Sequence, residues 1–535
     1  MRTYDAVVVG AGHNGLVAAL YLARAGWTTL VLERNATIGG AVRSGEVTLP
    51  GFVHDLYSTN QNQFRGSPVA QELGPELERH GLRYRVTAAP FSNAFPDGTS
   101  LRIYQDPQRT RALLERHNPR DAAGWDRLYA QFRTFRRTLL PLLGVPLPSL
   151  AAALTLLRAA RRAGVGELLG LGQLVLSSTR ELGDTYFVSP EAKALVAAWG
   201  LHVDFGPDVS GGALFPFVET FIDMEAGMAL AERGASRVVE ALAGLLCAYG
   251  GEVRAGTEVR RVPTDGDRAT GVVLASGERI GARRVVIANV TPTVLFEHLL
   301  PEQPLPRTVR AKVAGYLYGP GTMMVHLALK GKLRWAAGPE LDEFAYVHIA
   351  PYVSDLAQTY TDALNGLIPT SPLLVVGQAS AVDPTRAPGD AQVLWIQVRA
   401  LPSHIRGDAA GQIAARTWDE AKEAVADRVV DKLASYAPGL QDLILAHAVF
   451  SPADLERDNP NLVGGDSIAG SHHLRQNFLF RPFPGWSRYR MPLAGLYMVG
   501  AATWPGAGNN ATSGYLAAQE ILRVRRAGGD VSRRK

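Results

Sequence analysis

Tyr4 to Arg34, YDAVVVGAGHNGLVAALYLARAGWTTLVLER, decides how this 535-residue chain folds. Val7, Val8 and Val9 make a short β-branched run that reads as a buried strand. Gly10, Gly12 and Gly15 follow with GxGxxG spacing. The first glycine permits a tight turn, the second lets a pyrophosphate approach the backbone, and the third lets a helix pack on the strand. Residues 14–25 read as that helix, its N-terminus directing partial positive charge at phosphates, and Gly26 ends it. Thr28 to Leu32 is a second apolar strand. Glu33 closes it, 18 residues beyond Gly15, where a carboxylate accepts hydrogen bonds from a ribose diol. Strand, glycines, helix and acid in this order predict a bound dinucleotide. A glycine-rich turn in an ordinary βαβ unit leaves Glu33 unexplained.

The chain is long enough for two or more domains, and 47% hydrophobic with 20% charged residues is an ordinary globular composition. The net charge of +5 is spread along the sequence, with one compact basic cluster at Arg523, Arg525, Arg526, Arg533, Arg534 and Lys535. A solvated extension accounts for that cluster, and no nucleic-acid partner is expected. The single cysteine, Cys247, excludes an intramolecular disulfide, a CxxC dithiol and a cysteine metal site. The histidines lack ligand spacing such as HExxH, so no metal is expected. The apolar N-terminus contains the glycine fingerprint and reads as a βα unit rather than a secretion signal, which makes a cytoplasmic location the expectation.

Beyond Glu33, Gly39 and Gly40 form a loop doublet suited to a second close approach to a pyrophosphate. Arg43 is a candidate for neutralising phosphate charge. Asp106 and Pro107 open a helix running toward Pro119. Residues 139–178 are strongly apolar and are broken by prolines and glycines into short helices, with Arg158, Arg161 and Arg162 on a limited arc. Two readings stand: core helices of a substrate domain, or an amphipathic surface that dips into a membrane or a greasy substrate. Ser236 to Asn289 returns to helix and strands. Leu373 to Leu401 reads as adjacent strands, and 409–436 as one long amphipathic helix. Gly495 to Arg523 is a second strand–glycine–helix unit, its strand ending at Gly500 and its helix starting near Ala511. The expected organisation is a dinucleotide domain in three pieces (1–64, 226–290 and 486–524), a substrate domain in two (65–225 and 291–485), and a basic tail, 525–535.

Four segments together resemble the FAD-dependent oxidoreductases of the phytoene desaturase type, including flavin-dependent carotene ketolases and a branch named for pyridine nucleotide-disulfide oxidoreductases. They are YDAVVVGAGHNGLVAALYLARAG, LERNATIGGAV, GVVLASGERIGARRVVIAN and GLYMVGAATWPGAGNNATSGYLAAQEIL. The resemblance runs end to end and is specific at the nucleotide-binding segments. It implies an α/β fold, a Rossmann-like FAD-binding domain with an inserted mixed α+β substrate domain. It implies that Gly10, Gly12, His13, Asn14 and Gly15 hold the FAD pyrophosphate, that Glu33 takes the ribose with Arg34 beside the adenine, and that Gly39, Gly40 and Ala41 line the diphosphate and ribityl chain. Val259 matches the position whose backbone meets the adenine, and Gly500, Ala501, Asn510 and Ala511 would approach the ribityl chain and the flavin ring. Many relatives carry an acid where this chain has Ala501.

The resemblance also implies a large, apolar, polyene-like substrate reached from a membrane surface. Hydride passes to the flavin in such a build, so no strong base is obligatory. His472 and His473 are the weak candidates for proton transfer, and Trp504 for a wall over the flavin. No second GxGxxG stands in a strand–helix context, which points to oxygen or a quinone as electron acceptor. Two further readings compete: a flavin oxidase of a smaller molecule such as an amine, and a non-enzymatic binder like the Rab escort and GDP-dissociation-inhibitor proteins, against which the complete glycine motifs and Glu33 argue.

Overall fold

The first strand, Arg2–Val9, lies between two parallel neighbours, Arg279–Ala288 and Thr29–Leu32. The computed structural model describes residues 1–301 and 305–526 and places these strands at the centre of a seven-stranded sheet. Glu252–Arg254 extends it in parallel beyond Thr29–Leu32, and Leu496–Met498 pairs in parallel with the end of Arg279–Ala288. Gly271–Leu274 and Val259–Arg261 complete the other edge antiparallel. One sheet is thus assembled from three distant stretches of sequence. At the centre, Ala6–Val9, Thr29–Leu32 and Val285–Ala288 are buried, which is why they read as apolar runs.

Helix His13–Arg24 packs against Ser236–Ala248 and Thr512–Arg526 over one face of this sheet. Leu16, Leu20, Val239, Leu242 and Leu516 share its core, each contributing about 1.5–3 kcal/mol by leaving water. Glycine makes the approach close enough. A Cβ on Gly15 would stand 2.3 Å from the Gly10 carbonyl oxygen, and one on Gly514 would stand 2.1 Å from that of Asn14.

A second seven-stranded sheet orders Ile444–Phe450, Gly321–Leu329, Gln392–Leu401, Leu373–Gly377, Tyr346–Ile349, Phe91–Ala94 and Ser100–Ile103. It is antiparallel apart from the Tyr346–Ile349 and Phe91–Ala94 pair. The two sheets make the α/β architecture with a mixed second layer that the resemblance implies. Arg386, fully buried, links the two regions: it pairs with Asp55 and Asp383 at 3.0 Å each and donates to the Ala231 carbonyl.

One local expectation changes, and two are sharpened. The helix read over 409–436 begins only at Trp418. Residues before it are held in a turn, because the Asp408 carboxylate accepts from the amides of Gln412 and Ile413 and Gly411 has φ +69°. The last helix begins at Thr512, with Asn510 Oδ1 accepting from the Thr512 amide. Residues 139–178 are helices Leu150–Ala163 and Val165–Leu176 after a short 3-10 turn, and only one side of them is core, where Leu171 and Leu174 are buried. Leu150, Val165, Leu169 and Leu176 are 76%, 67%, 70% and 61% exposed. Most of the basic tail, 527–535, lies outside the described residues.

Candidate active site

A cavity of about 650 Å³ opens at the carboxyl ends of the parallel strands. This is where open α/β sheets take ligands, at the crevice between strands whose connections leave in opposite directions. Gly10, Gly12, His13, Asn14, Glu33, Arg34, Gly40, Ala41, Val259, Gly500 and Ala501 line it. Eleven positions read from five separate segments therefore converge on one space. Thr257 lines it beside Glu33, donating its amide to the Glu33 carbonyl, and Ser467 and Ala469 line it as well.

The floor is made of backbone. Gly39 donates its amide to the Ala11 carbonyl at 3.0 Å, which brings the Gly39–Gly40 loop against Gly12. Gly10 and Gly40 have φ of +96° and +57°, a region that favours glycine. The Glu33 carboxylate is buried and accepts from the amides of Ala11 and Asn35, both at 3.0 Å. Those two bonds fix its orientation and leave lone pairs for a diol. Asn14 joins the first and last helices, its Oδ1 accepting from the Gly514 amide while its Nδ2 donates to His13 Nε2. Burial holds His13 down at about 4, so its ring is neutral beside the cavity.

Asn289 sits at the centre of the cradle and was not singled out by sequence reading. It follows the apolar run VVIA, and its amide donates to the Val9 carbonyl. A Cβ on Gly10, Gly12, Gly15 or Gly500 would stand between 2.7 and 3.2 Å from an Asn289 atom or, for Gly15, at 3.0 Å from its Nδ2. The glycines of both motifs thus pack around one amide side chain. The stretch Asp458–Leu462 and Ser467 also line the cavity from far along the chain. Their only signal in the sequence is a run of turn formers.

Five expected cofactor contacts stand back from the cavity. Gly15 and Gly39 act through close packing, and Asn510 and Ala511 through the start of the last helix. Arg43 has its guanidinium engaged by the Gly40 carbonyl, the Tyr57 hydroxyl and the Asp458 carboxylate, so it fastens the loop instead of presenting a free charge. The three catalytic candidates likewise do not line the cavity. His472 Nε2 accepts from the Ala507 amide at 2.8 Å, and burial holds the ring well below its usual range. His473 Nε2 donates to the Asp204 carbonyl at 2.7 Å. Trp504 Nε1 donates to the Val145 carbonyl, with its ring against Phe478.

A second buried polar layer lies on helix Leu214–Ala226. Glu219 and Asp223, one turn apart, face Gln63, Asn60 and Asn62, with Asn62 Nδ2 donating to Asp223 at 2.6 Å. Burial pushes the Glu219 carboxyl up to about 7 and Asp223 well above the usual range. Asn509 Nδ2 ties this layer to the loop before the last helix through the Asn60 carbonyl and Gln61.

The family model for flavin containing amine oxidoreductases matches residues 15–522. This chain belongs to that family. It is an FAD-dependent oxidoreductase, and the glycine-lined cavity with Glu33 fits the cofactor the family carries. A rat protein named pyridine nucleotide-disulfide oxidoreductase domain-containing protein 2 is 28% identical, with 97% of this chain and 93% of the relative aligned. A neurosporene-forming phytoene desaturase of Cereibacter sphaeroides is 24% identical over 97% of this chain and 93% of its own length. Among solved structures, cyclohexylamine oxidase from Brevibacterium oxydans superposes with a TM-score of 0.59 at 17% identity, covering 98% of this chain and 99% of that one. That likeness is one of fold.

Proposed function

We propose that this enzyme removes hydride from a large lipophilic, carotenoid-like substrate taken from a membrane surface, with oxygen or a quinone as the final acceptor. The observation that carries the reading is the outward apolar face of Leu150–Ala163 and Val165–Leu176. Leu150, Leu154, Leu157, Val165, Leu169 and Leu176 are all exposed there, next to exposed Arg158, Arg161 and Arg162. Apolar side chains that enter the acyl boundary, with arginines at the headgroup level, are what an interfacial helix pair requires. No helix among the described residues is long and apolar enough to cross a membrane. The similarity to a phytoene desaturase supports the substrate class.

Within the site, Gly10, Gly12, Gly40 and Gly500 would let the cofactor approach the backbone, Glu33 would bind its ribose, and the start of the Thr512 helix would offer partial positive charge behind them. FAD supplies the hydride acceptor. The protein orients the substrate C–H, excludes water and keeps the neighbouring His13 neutral. An anaerobic absorption spectrum tests the reading: flavin bands bleach on adding a carotene-containing lipid extract. Bands that bleach with a small amine and stay oxidised with the extract overturn it. Flotation with anionic liposomes tests the membrane contact separately, and protein that stays wholly in the soluble fraction refutes it.

A further inference from the structure

One stretch of the large cavity's wall comes from the other region of the molecule. Asp458, Asn459, Pro460, Asn461 and Leu462 all line the cavity. They begin at the last residue of helix Pro452–Asp458, which packs on strands Gly321–Leu329 and Ile444–Phe450 of the mixed sheet. Asp458 to Asn461 are partly exposed, so the stretch lies at the rim of the cavity. Arg34, Glu258 and Arg260 also line it and are exposed, but they lie in or beside strands of the parallel sheet. The stretch from 458 to 462 is the part of the rim that can lift without deforming that sheet.

Both of its ends are tied to the glycine cradle. At one, the Asp458 carboxylate accepts from the Arg43 guanidinium and the Tyr57 hydroxyl, and the Asp458 carbonyl accepts from Asn35 Nδ2 at 3.0 Å. Arg43 in turn donates to the Gly40 carbonyl at 3.0 Å. At the other, Asn461 Oδ1 accepts from the Thr291 amide at 2.9 Å, and Asn461 Nδ2 donates to the Asn289 carbonyl at 3.4 Å. The five residues are a strap from the Gly39–Gly40 loop to the end of strand Arg279–Ala288. The strap is stiff within itself: Pro460 fixes one φ, and Asn459 accepts from the amides of Asn461 and Leu462. Gly464 and Gly465 follow it with φ of +64° and +80°, and small residues at the end of an element are where a closing segment turns. The two fastenings are unequal. Arg43 is 6% exposed, and among the described residues Asp458 is the one carboxylate in an ion pair with it. Lifting the strap strands a buried guanidinium, so the fastened state dominates. The Asn461 end has neutral hydrogen bonds alone.

We infer that Asp458–Leu462 is a latch on the cofactor: Asp458 must leave Arg43 before FAD can enter or leave the cavity. The inference stands on the FAD site and is independent of the substrate proposed above. A latch and a plain contact differ in kinetics. A latch present in the empty and the filled site slows entry and exit alike and leaves the affinity where it was. A contact made only to the ligand acts chiefly on exit.

The test mixes apoprotein with FAD in a stopped-flow cell. Quenching of flavin fluorescence gives the association rate, and its recovery on dilution of the holoenzyme gives the dissociation rate. D458N, which keeps the shape and removes the charge, should raise both rates about tenfold and change Kd by less than about twofold. N461A, which loosens the neutral end, should raise both by a smaller factor, about threefold. A dissociation rate that rises alone makes Asp458 a contact and overturns the latch. Two rates that both stay unchanged overturn it as well. If D458N fails to fold, N461A decides by the same pair of rates.

Discussion

The two seven-stranded sheets handle polar chemistry in opposite ways. In the parallel sheet the work is done by backbone, exposed by glycines that lie within a few residues of each other, and the one key carboxylate, Glu33, is already fixed by two amides. In the mixed sheet the polar groups are side chains, such as His348 and Asn93, which come from distant parts of the sequence, stand opposite each other and find no partner among the protein's own groups. A cofactor shared by a whole family is held by geometry that tolerates no side chain.

The strongest way to break this contrast is to put a side chain where the cradle allows none. Gly15→Val places a Cβ 2.3 Å from the Gly10 carbonyl oxygen, a backbone atom that cannot yield. The protein should purify without flavin, measured as visible absorbance per protein, and should lose more than the ~1–3 kcal/mol usual for overpacking. Retained yellow colour refutes the cradle. Next is the link between the regions. Arg386→Met leaves Asp55 and Asp383 buried without their cation and should cost about 3–5 kcal/mol in a denaturant melt. Glu33→Gln removes a charged acceptor and should weaken FAD rebinding to apoprotein by about 1.5–3 kcal/mol, tenfold or more, with little change in the melt of the apoprotein.

A pH series sharpens the contrast further. His13 is held at about 4 against an ordinary 6.5, so below pH 6.5 the unfolded chain takes a proton that the folded one refuses, and stability falls on acidification toward 4. Glu219 is held at about 7 against an ordinary 4.5, so the folded chain keeps a proton the unfolded one gives up, and stability falls as pH rises from 4.5 to 7. H13Q should therefore flatten the acid limb and E219Q the opposite slope, read as denaturant midpoints against pH. Identical profiles for both variants would count against the assignment. The smallest expected effect is on the exposed helices: L157S with L169S should leave stability within about 0.5 kcal/mol and reduce liposome flotation.

The legibility of the sequence follows the same division. Gly10, Gly12, Gly40, Glu33 and Gly500 were readable because each is set by its immediate neighbours, and all five line the cavity. Asn289 was hidden because an asparagine after an apolar strand looks like any strand end, and only the approach of two remote glycine motifs gives it a role. Ser467 was hidden for the same reason, having no local pattern at all. The over-long helix at 409–436 shows amphipathic spacing continuing across Gly411 and the Asp408 turn, where hydrogen bonding by one carboxylate outweighs periodicity. The apolar stretch 139–178 had the right elements, but hydrophobicity alone does not say whether a leucine faces protein or lipid.

The three-piece construction of the parallel sheet also sets a clock. About 490 residues separate Val9 from Met498, the strand that completes the flavin end. At the usual ~5–20 residues per second of synthesis, the first βαβ unit waits roughly 25 to 100 s for its last partner. For the last roughly 10 to 40 s of it, from the synthesis of Ala288 to that of Leu496, the far edge of Arg279–Ala288 is an open template for other chains. Production of this enzyme is therefore governed by the protection of a growing chain, and slower translation or limiting chaperone should lower its yield before any change in the finished protein is felt.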